Sequence, residues 1–285
     1  MNGKAIYQPK GAAAEYAKYA CNFYIGCSNE CSYCYCKRFN WGNVPKLKKC
    51  FKSELHALEV FEKELNANLS KLQKHGLFFS FTTDPLLRIC ANITFRAILI
   101  ANYYEVPCKI LTKRAEWVSH LEDYLDEKEV EDGVKEIFSK ERFKKLVAFG
   151  FTLTGRDDLE PNASTNAERI EAMKKLYDAG FKTWCSVEPI IDFESSFSMI
   201  YATKNFCNLY KIGLKSGQKF EIIEIRKFIQ YVTDLLHYNS FAKIYFKDSL
   251  LQQAGIKRED LPSNCVSRDY NLFNDKNNEN DKGRE

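Results

Sequence analysis

Three cysteines on one short stretch, Cys27, Cys31 and Cys34, constrain this chain more than any other feature of its sequence. They follow the spacing Cys-x3-Cys-x2-Cys in the run GCSNECSYCYC. Three thiolates on one loop can bind three irons of a cubane cluster and leave the fourth iron without a protein ligand. That iron is then open to a small molecule that chelates through an amine and a carboxylate. The spacing therefore predicts an iron–sulfur site with one open iron.

A structural zinc site is the alternative that these cysteines leave open. Zinc prefers four ligands, usually from two pairs that lie a dozen or more residues apart. This chain has one compact triplet and no second pair, although Cys21 and Cys36 are close enough in sequence to complete a tetrahedron. A disulfide framework is disfavoured, because the cysteine count of 11 is odd and the N-terminus has no secretory pattern.

Composition favours one large cytoplasmic domain with reduced thiols. No stretch reaches the roughly eighteen apolar residues of a membrane span, so no membrane partner is expected. A chain of 285 residues with 45% hydrophobic content can bury the core of an undivided α/β barrel. The net charge of +4 is too small to indicate nucleic-acid binding by itself.

Short apolar runs alternate with longer amphipathic ones, which is the pattern of β-α units around a parallel sheet. The predicted strands cover residues 21–25, 77–81, 108–111, 146–153, 183–187, 208–212 and 243–246. Helices are predicted after an N-cap at Ser53, over 93–104, after a capping box of Thr165 and Glu168, and over 220–237. The alternation predicts an α/β fold in which the first strand leads into the cysteine loop.

The predicted barrel domain spans residues 21–255, with an extension at each end and one insertion. Residues 1–20 form an N-terminal extension and residues 256–285 a C-terminal one, whose residues from about 274 onward are wholly polar and expected to be disordered. Residues 126–145 are dense in alternating charges and predict an exposed helical insertion after the third strand.

Polar side chains follow the predicted strands at the points where catalytic residues of a βα barrel lie. They could serve a buried polar ligand, with donors for a carboxylate, acceptors for an ammonium and hydroxyls for a ribose. The structural alternative is that they only begin loops and cap helices. Besides the cysteine loop, these strand ends carry Thr82, Thr83, Asp84, Thr112, Lys113, Thr152, Thr154, Glu188, Lys211 and Gly213.

Ordered blocks of sequence resemble the spore photoproduct lyase-like branch of radical S-adenosylmethionine proteins, which is also described as DNA repair photolyase-like. The resemblance implies a single-domain partial (βα)6 TIM-like barrel that holds a [4Fe-4S] cluster and S-adenosyl-L-methionine. The blocks are KGAAAEYAKYACNFYIGCSNECSYCYCKR (10–38), FTTDP (81–85), ILTK (110–113), FTLTGRDDLEPNASTNAERI (151–170), TWCSVEPIID (183–192) and YKIG (210–213).

The resemblance also implies roles for single residues. The expected ligands are Cys27, Cys31 and Cys34 for iron, Tyr33 for adenine, Thr83 and Asp84 for the methionine ammonium, Lys113 for its carboxylate and Thr152 for the ribose. Glu188 matches a further block position and is a cofactor-binding candidate. Glu160 and Arg169 also match, and the structural interpretation is that they pair with each other.

Two positions depart from the branch. Members of the branch commonly carry a glutamate a few residues after the Asp-Pro, and in this chain Cys90 lies near that position. The hydrogen-donating cysteine of spore photoproduct lyase lies just upstream of this aspartate, and residues 81–83 of this chain contain no thiol. Tyr35, which directly follows a cluster ligand, is therefore the first catalytic candidate for hydrogen donation, ahead of Cys36 and Cys90.

The implied function is reductive cleavage of S-adenosylmethionine at the cluster to a 5′-deoxyadenosyl radical, which abstracts hydrogen from a substrate. The resemblance favours a nucleic acid or nucleotide as substrate and a flavodoxin- or ferredoxin-type electron donor as partner. The alternative is a non-catalytic iron–sulfur or zinc scaffold, or a redox sensor. Lys113 and Asp84 speak against it, because a structural cluster does not need groups that bind a methionine tail. A zinc-binding nucleic-acid module would need a basic stripe with interleaved aromatics, and most aromatics here are expected in the core.

Overall fold

A computed structural model describes residues 1–125, 140–238 and 241–274. Most of the predicted charged insertion, residues 126–139, lies outside the described residues, as do residues 275–285 of the predicted disordered tail. The last part of the insertion falls in a helix, Lys140–Leu146.

An eight-stranded sheet forms the centre of the molecule, in the order β1-β2-β5-β6-β7-β8-β9-β10. Its first pair is antiparallel and all of its other pairs are parallel. The strands are β1 (Ile6–Tyr7), β2 (Ala20–Cys21), β3 (Tyr24–Ile25), β4 (Lys46–Leu47), β5 (Leu77–Phe79), β6 (Cys108–Thr112), β7 (Val147–Thr152), β8 (Lys182–Ile190), β9 (Leu209–Leu214) and β10 (Lys243–Phe246). Strands β3 and β4 form a separate antiparallel ribbon. The predicted single-domain partial barrel is confirmed, and β10 adds a seventh parallel strand.

Helices cover the outer face of this sheet. They are α1 (Glu54–Asn66), α2 (Leu69–His75), α3 (Arg88–Tyr103), α4 (Leu121–Leu125), α5 (Lys140–Leu146), α6 (Asn166–Asp178), α7 (Phe193–Thr203), α8 (Ile222–Tyr238) and α9 (Asp248–Ala254). The predicted N-cap at Ser53 and the capping box of Thr165 and Glu168 are both confirmed. Within the described ranges, no helix is both long enough and apolar enough to cross a membrane.

The first predicted strand, residues 21–25, is divided in the structure. Asn22 interrupts it, because its side-chain oxygen accepts from the backbone N–H of Phe81 at 2.9 Å and its amide donates to Tyr7 Oη at 2.7 Å. These bonds replace the ladder, so that β2 stays in the large sheet and β3 turns away to pair with β4. The cysteine loop therefore leaves β3 and lies in the connection between the two strands of the small ribbon.

The inside of the barrel is packed with aromatic side chains, among them Tyr16, Phe78 and Trp184. Trp184 is 1% exposed and lies over Gly150 of the neighbouring strand. A β-carbon at Gly150 would lie 2.1 Å from Cε2 of this indole. A glycine on β7 is thus the condition for placing the largest side chain inside the barrel.

The N-terminal 20 residues contribute to the barrel itself. Strand β1 is the sheet edge, and a 3-10 helix, Gly11–Glu15, leads Tyr16 into the interior. The ammonium groups of Lys109 and Lys211 donate to the carbonyl oxygen of Tyr16 at 3.0 and 3.2 Å. Tyr16 packs there against Phe78 and Trp184, with ring centres 5.7 and 6.2 Å from its own.

We expect Gly150→Ala to lower the free energy of unfolding by about 1–3 kcal/mol, the usual cost of overpacking a rigid core. Chemical denaturation measures this loss. In a Trp184→Leu background the same Gly150→Ala change should cost less, because the smaller side chain leaves room for the added methyl group. Equal stability of Gly150→Ala and the parent protein would contradict the packing described here.

Candidate functional site

The cysteine loop leaves strand β3 through a glycine that must approach other backbone closely. Gly26 has a φ of +82°, a region that favours glycine. A β-carbon there would lie 2.7 Å from the carbonyl oxygen of Val44 and 3.1 Å from that of Trp41. The chain that follows the loop is therefore packed against the start of the loop, directly before Cys27.

The carboxylate of Asp84 ties the cysteine loop to the sheet. Its oxygens accept hydrogen bonds from the Asn29 amide at 2.8 Å, Thr112 Oγ1 at 2.6 Å, and the backbone N–H groups of Lys113 at 2.8 Å and Leu86 at 3.1 Å. Four donors use the lone pairs that a carboxylate offers. Asp84 is therefore a tether in this conformation, and its contact with a ligand ammonium stays a prediction.

Lys113 lies beside Tyr33 of the cysteine loop, and its contact with a ligand carboxylate stays a prediction. Its side chain is half-buried, and its ammonium lies 5.6 Å from the centre of the Tyr33 ring. Burial lowers the pKa of Lys113, but the Cys31 thiolate and the Glu160 carboxylate outweigh it, so that the pKa is raised. Lys113 is thus a firmly charged cation that also acts on all three thiols of the loop.

The three predicted ligands differ in acidity. Burial and the Asp84 carboxylate raise the pKa of Cys27 to about 11, and burial raises that of Cys31. A hydrogen bond from the Cys36 thiol lowers the pKa of Cys34 to about 6. In the described ranges no three Cys, His, Asp or Glu side chains form a preassembled metal centre. The donor set nevertheless fits an iron–sulfur cluster, because three thiols share one loop beside one cation and a bound metal displaces thiol protons.

A buried chain of polar groups supports the loop from the other side. Tyr33 donates from its hydroxyl to Glu160, which is bound in turn by Arg169. Arg169 is fully buried and also donates to the carbonyl oxygen of Thr152 at 2.6 Å. The predicted pairing of Glu160 with Arg169 is confirmed. The roles of Tyr33 and Thr152 toward adenine and ribose stay predictions.

The hydrogen-donor candidates lie at different depths. The Tyr35 side chain is 47% exposed, and its hydroxyl donates to the carbonyl oxygen of Phe81, which also accepts from the Cys36 thiol at 3.5 Å. Cys90 is 1% exposed, and burial raises its pKa to about 12. Thr83 Oγ1 contacts this thiol but has no hydrogen bond of ordinary geometry within the described chain. Tyr35 is thus the hydrogen-donor candidate that is exposed to solvent.

Glu188 takes part in an ionic cluster inside the barrel. Its two oxygens accept from Lys247 Nζ at 2.8 and 3.0 Å, and one of them accepts from the Tyr16 hydroxyl at 2.5 Å. Glu15 lies 3.4 Å from the same ammonium. Gly213 admits this cluster, since a β-carbon there would lie 2.7 Å from Cδ of Lys247. Glu188 is the most exposed of these ionic groups, with 21% of its side chain exposed against 7% for Glu15 and 4% for Lys247.

Sequence reasoning missed three members of this cluster. Lys247 directly follows strand β10, so the rule that singles out strand ends could have found it. Glu15 and Tyr16 lie in the block of residues 10–38, but a short alanine-rich segment gives no signal that it enters the barrel.

Comparisons with known proteins place the chain by its fold. No protein-family model matches it. It is similar to Uncharacterized protein MJ0683 of Methanocaldococcus jannaschii, with 28% identity over 223 residues that cover 72% of this chain and 74% of the relative.

Two enzymes with solved structures share the architecture. A spore photoproduct lyase mutant matches with a TM-score of 0.50 and 15% identity, over 87% of this chain and 64% of that one. Streptococcus suis SuiB bound to S-adenosylmethionine matches with a TM-score of 0.53 and 11% identity, over 81% of this chain and 50% of SuiB. The chain thus spans less than two thirds of either structure. The predicted resemblance to spore photoproduct lyase is confirmed at the level of the fold.

We expect Gly26→Ala to reduce the iron that the protein retains after anaerobic reconstitution, because the methyl group would displace the Trp41 and Val44 carbonyls from the start of the loop. Gly42→Ala is the matched control, since Gly42 has a similar φ of +79° but open space around it. Iron and sulfide per chain are measured for both. Equal iron content in the two variants would show that the close approach at Gly26 does not shape the loop.

Proposed function

We propose that this chain is a radical S-adenosylmethionine enzyme whose [4Fe-4S] cluster is held by Cys27, Cys31 and Cys34. The observation that carries the proposal is the juxtaposition made by Asp84, which joins the cysteine loop to the strand end that bears Lys113. The neighbours in fold are radical S-adenosylmethionine enzymes, and one of them was solved with S-adenosylmethionine bound.

The chain's own residues supply binding and orientation. When bound, the cluster supplies the electron that cleaves S-adenosylmethionine and generates the 5′-deoxyadenosyl radical. Lys113 would bind the methionine carboxylate with its charged ammonium, and Tyr33 would border the adenine while Glu160 fixes its hydroxyl. Thr152 would meet the ribose from the end of β7. Asp84 acts first as a positioning residue, because its four hydrogen bonds hold the loop at a set distance from Lys113.

Thr83 and Glu188 remain cofactor-binding candidates, and Tyr35 remains the catalytic candidate for hydrogen donation. Support for a nucleic acid or nucleotide as substrate, and for a flavodoxin- or ferredoxin-type reductant, comes from the sequence resemblance.

We expect anaerobically reconstituted protein to bind a cluster of about four irons and to release 5′-deoxyadenosine with dithionite and S-adenosylmethionine, even without substrate. Changing any of Cys27, Cys31 or Cys34 to Ala should abolish both, because two thiolates are too few to hold a cubane. Cys50→Ala is the control, since Cys50 is exposed and lies outside the loop.

Two results would overturn this proposal in different ways. Stoichiometric zinc in place of iron, or a cluster that survives the three single changes, would refute the metal assignment. A fully loaded cluster that yields no 5′-deoxyadenosine would instead favour a non-catalytic iron–sulfur scaffold or redox sensor.

We expect Lys113→Ala to weaken S-adenosylmethionine binding by about 1.5–3 kcal/mol, the range for a hydrogen bond to a charged group. Iron content should stay at the parent level, because Lys113 is not a cluster ligand. Equilibrium binding of S-adenosylmethionine to the loaded protein measures the loss. Lys175→Ala, on the exposed face of α6, should bind as the parent does. An unchanged affinity in Lys113→Ala would remove this lysine from the binding site.

A further inference from the structure

Two parts of the structure lie outside the six-stranded barrel that the resemblance implies, and both reach the same side chain. They are the N-terminal segment, which carries Tyr16 into the interior, and β10, the seventh parallel strand, which ends directly before Lys247. Tyr16 and Lys247 both donate to the carboxylate of Glu188 on β8. These three residues are here named the Glu188 triad.

Glu188 lies beside the residue that is expected to meet the ribose. Thr152, the last residue of β7, pairs with Ser186 of β8. The Tyr16 hydroxyl lies 2.7 Å from Ser186 Oγ and 2.5 Å from Glu188 Oε2, so the side chains of Ser186 and Glu188 share one face of the strand. Glu188 therefore continues the row of side chains that Thr152 and Ser186 begin.

The backbone on both sides of Glu188 makes room for its ion pair with Lys247. The pairing of β8 with β9 shifts its register between Val187 and Ile190. Irregularities of this kind redirect a side chain and are frequent next to active sites. On β9, a β-carbon at Gly213 would lie 2.7 Å from Cδ of Lys247 and 3.0 Å from Cδ of Glu188. The ion pair therefore depends on a glycine in the strand that separates its two members.

Three hydrogen bonds fix the orientation of the Glu188 carboxylate. Lys247 donates to both of its oxygens, at 2.8 and 3.0 Å, and Tyr16 donates to one of them. Burial and the Glu188 charge raise the pKa of Tyr16, so its hydroxyl keeps its proton and remains a donor. Since a carboxylate offers about four acceptor positions, these bonds leave room for one further donor.

A short path of contacts joins the triad to the cysteine loop. The Tyr16 ring lies edge-on to the Phe81 ring, with ring centres 6.0 Å apart. The carbonyl oxygen of Phe81 accepts from the Tyr35 hydroxyl and from the Cys36 thiol, which directly follow the cysteine loop. Glu188 is thus connected to this loop through two aromatic side chains.

We propose that Lys247 and Tyr16 are positioning residues that hold the Glu188 carboxylate to accept a hydrogen bond from a hydroxyl or amino group of S-adenosylmethionine. This inference rests on the proposed function and deepens it, because it assigns part of the binding site to segments outside the six-stranded barrel. The alternative is an ion pair that only stabilises the fold. The acceptor position that is left on the partly exposed Glu188 favours the binding role, because a purely structural pair does not need one.

The test is a cycle of single and double variants in which S-adenosylmethionine binding to cluster-loaded protein is measured by anaerobic titration calorimetry. Glu188→Gln and Lys247→Met should each weaken binding about tenfold, at the lower end of the range for a hydrogen bond to a charged group. The double variant should bind no more weakly than Glu188→Gln alone, because Lys247 acts through this carboxylate. Losses that multiply in the double variant would overturn the proposal.

Tyr16→Phe tests the same point without removing a charge. It should weaken binding about threefold, as the loss of an ordinary hydrogen bond does, and this loss should vanish in a Glu188→Gln background. This variant decides the outcome if Lys247→Met does not fold, since removing one member of a buried ion pair leaves a charge uncompensated. Unchanged affinity in Tyr16→Phe would also overturn the proposal.

The matched controls alter the same residue types at places away from the triad. Lys243→Met lies at the other end of β10, and Tyr210→Phe removes a hydroxyl that lies 2.8 Å from Thr203 Oγ1. Both controls should bind S-adenosylmethionine as the parent protein does. Losses in the controls as large as those in the triad variants would overturn the proposal.

Iron and sulfide per chain, measured for every variant, separate this inference from the proposed function. A parent protein that loads the cluster but binds no S-adenosylmethionine would refute the proposed function, and this inference with it. If the parent binds S-adenosylmethionine and Lys113→Ala weakens that binding while the triad variants do not, only this inference fails.

Discussion

The hydrogen bonds of the Asp84 carboxylate are the interaction on which the candidate site depends. A buried carboxylate is tolerated only when its oxygens are satisfied, and here the donors come from the cysteine loop, from the next strand end and from the loop of Asp84 itself. One side chain thus sets the spacing between the thiols and Lys113. Removing this carboxylate would leave donors on three segments of the chain without their common acceptor.

The charged groups inside the barrel are also satisfied by partners within the protein. Lys247 pairs with both Glu188 and Glu15, and the ammonium groups of Lys109 and Lys211 donate to the carbonyl oxygen of Tyr16. Burial lowers the pKa of Lys109 to about 8. The rings of Tyr16, Phe78 and Trp184 pack together inside the barrel beside these groups.

How far the sequence predicts this arrangement depends on the range of the interaction. Strands and helix caps follow local periodicity and local hydrogen bonds, so Ser53 and Thr165 were predictable. Strand ends predict that Asp84 and Lys113 converge, because parallel strands end at one edge. The place of Glu15 inside the barrel was not predictable, since its partners are Tyr245 and Lys247 at the far end of the chain. The division of residues 21–25 also depends on a distant group, the N–H of Phe81.

The contact of Glu15 with the last strand bears on how the protein is made. Its carboxylate accepts from Tyr245 and from the backbone N–H of Asp248, more than two hundred residues later. A ribosome releases the N-terminal segment long before these partners exist, so the segment must wait outside its final place or occupy it with its charge unsatisfied. Long-range closure of this kind slows folding and prolongs the exposure of strand edges. The barrel can therefore become a native domain only after its final strand has been synthesised.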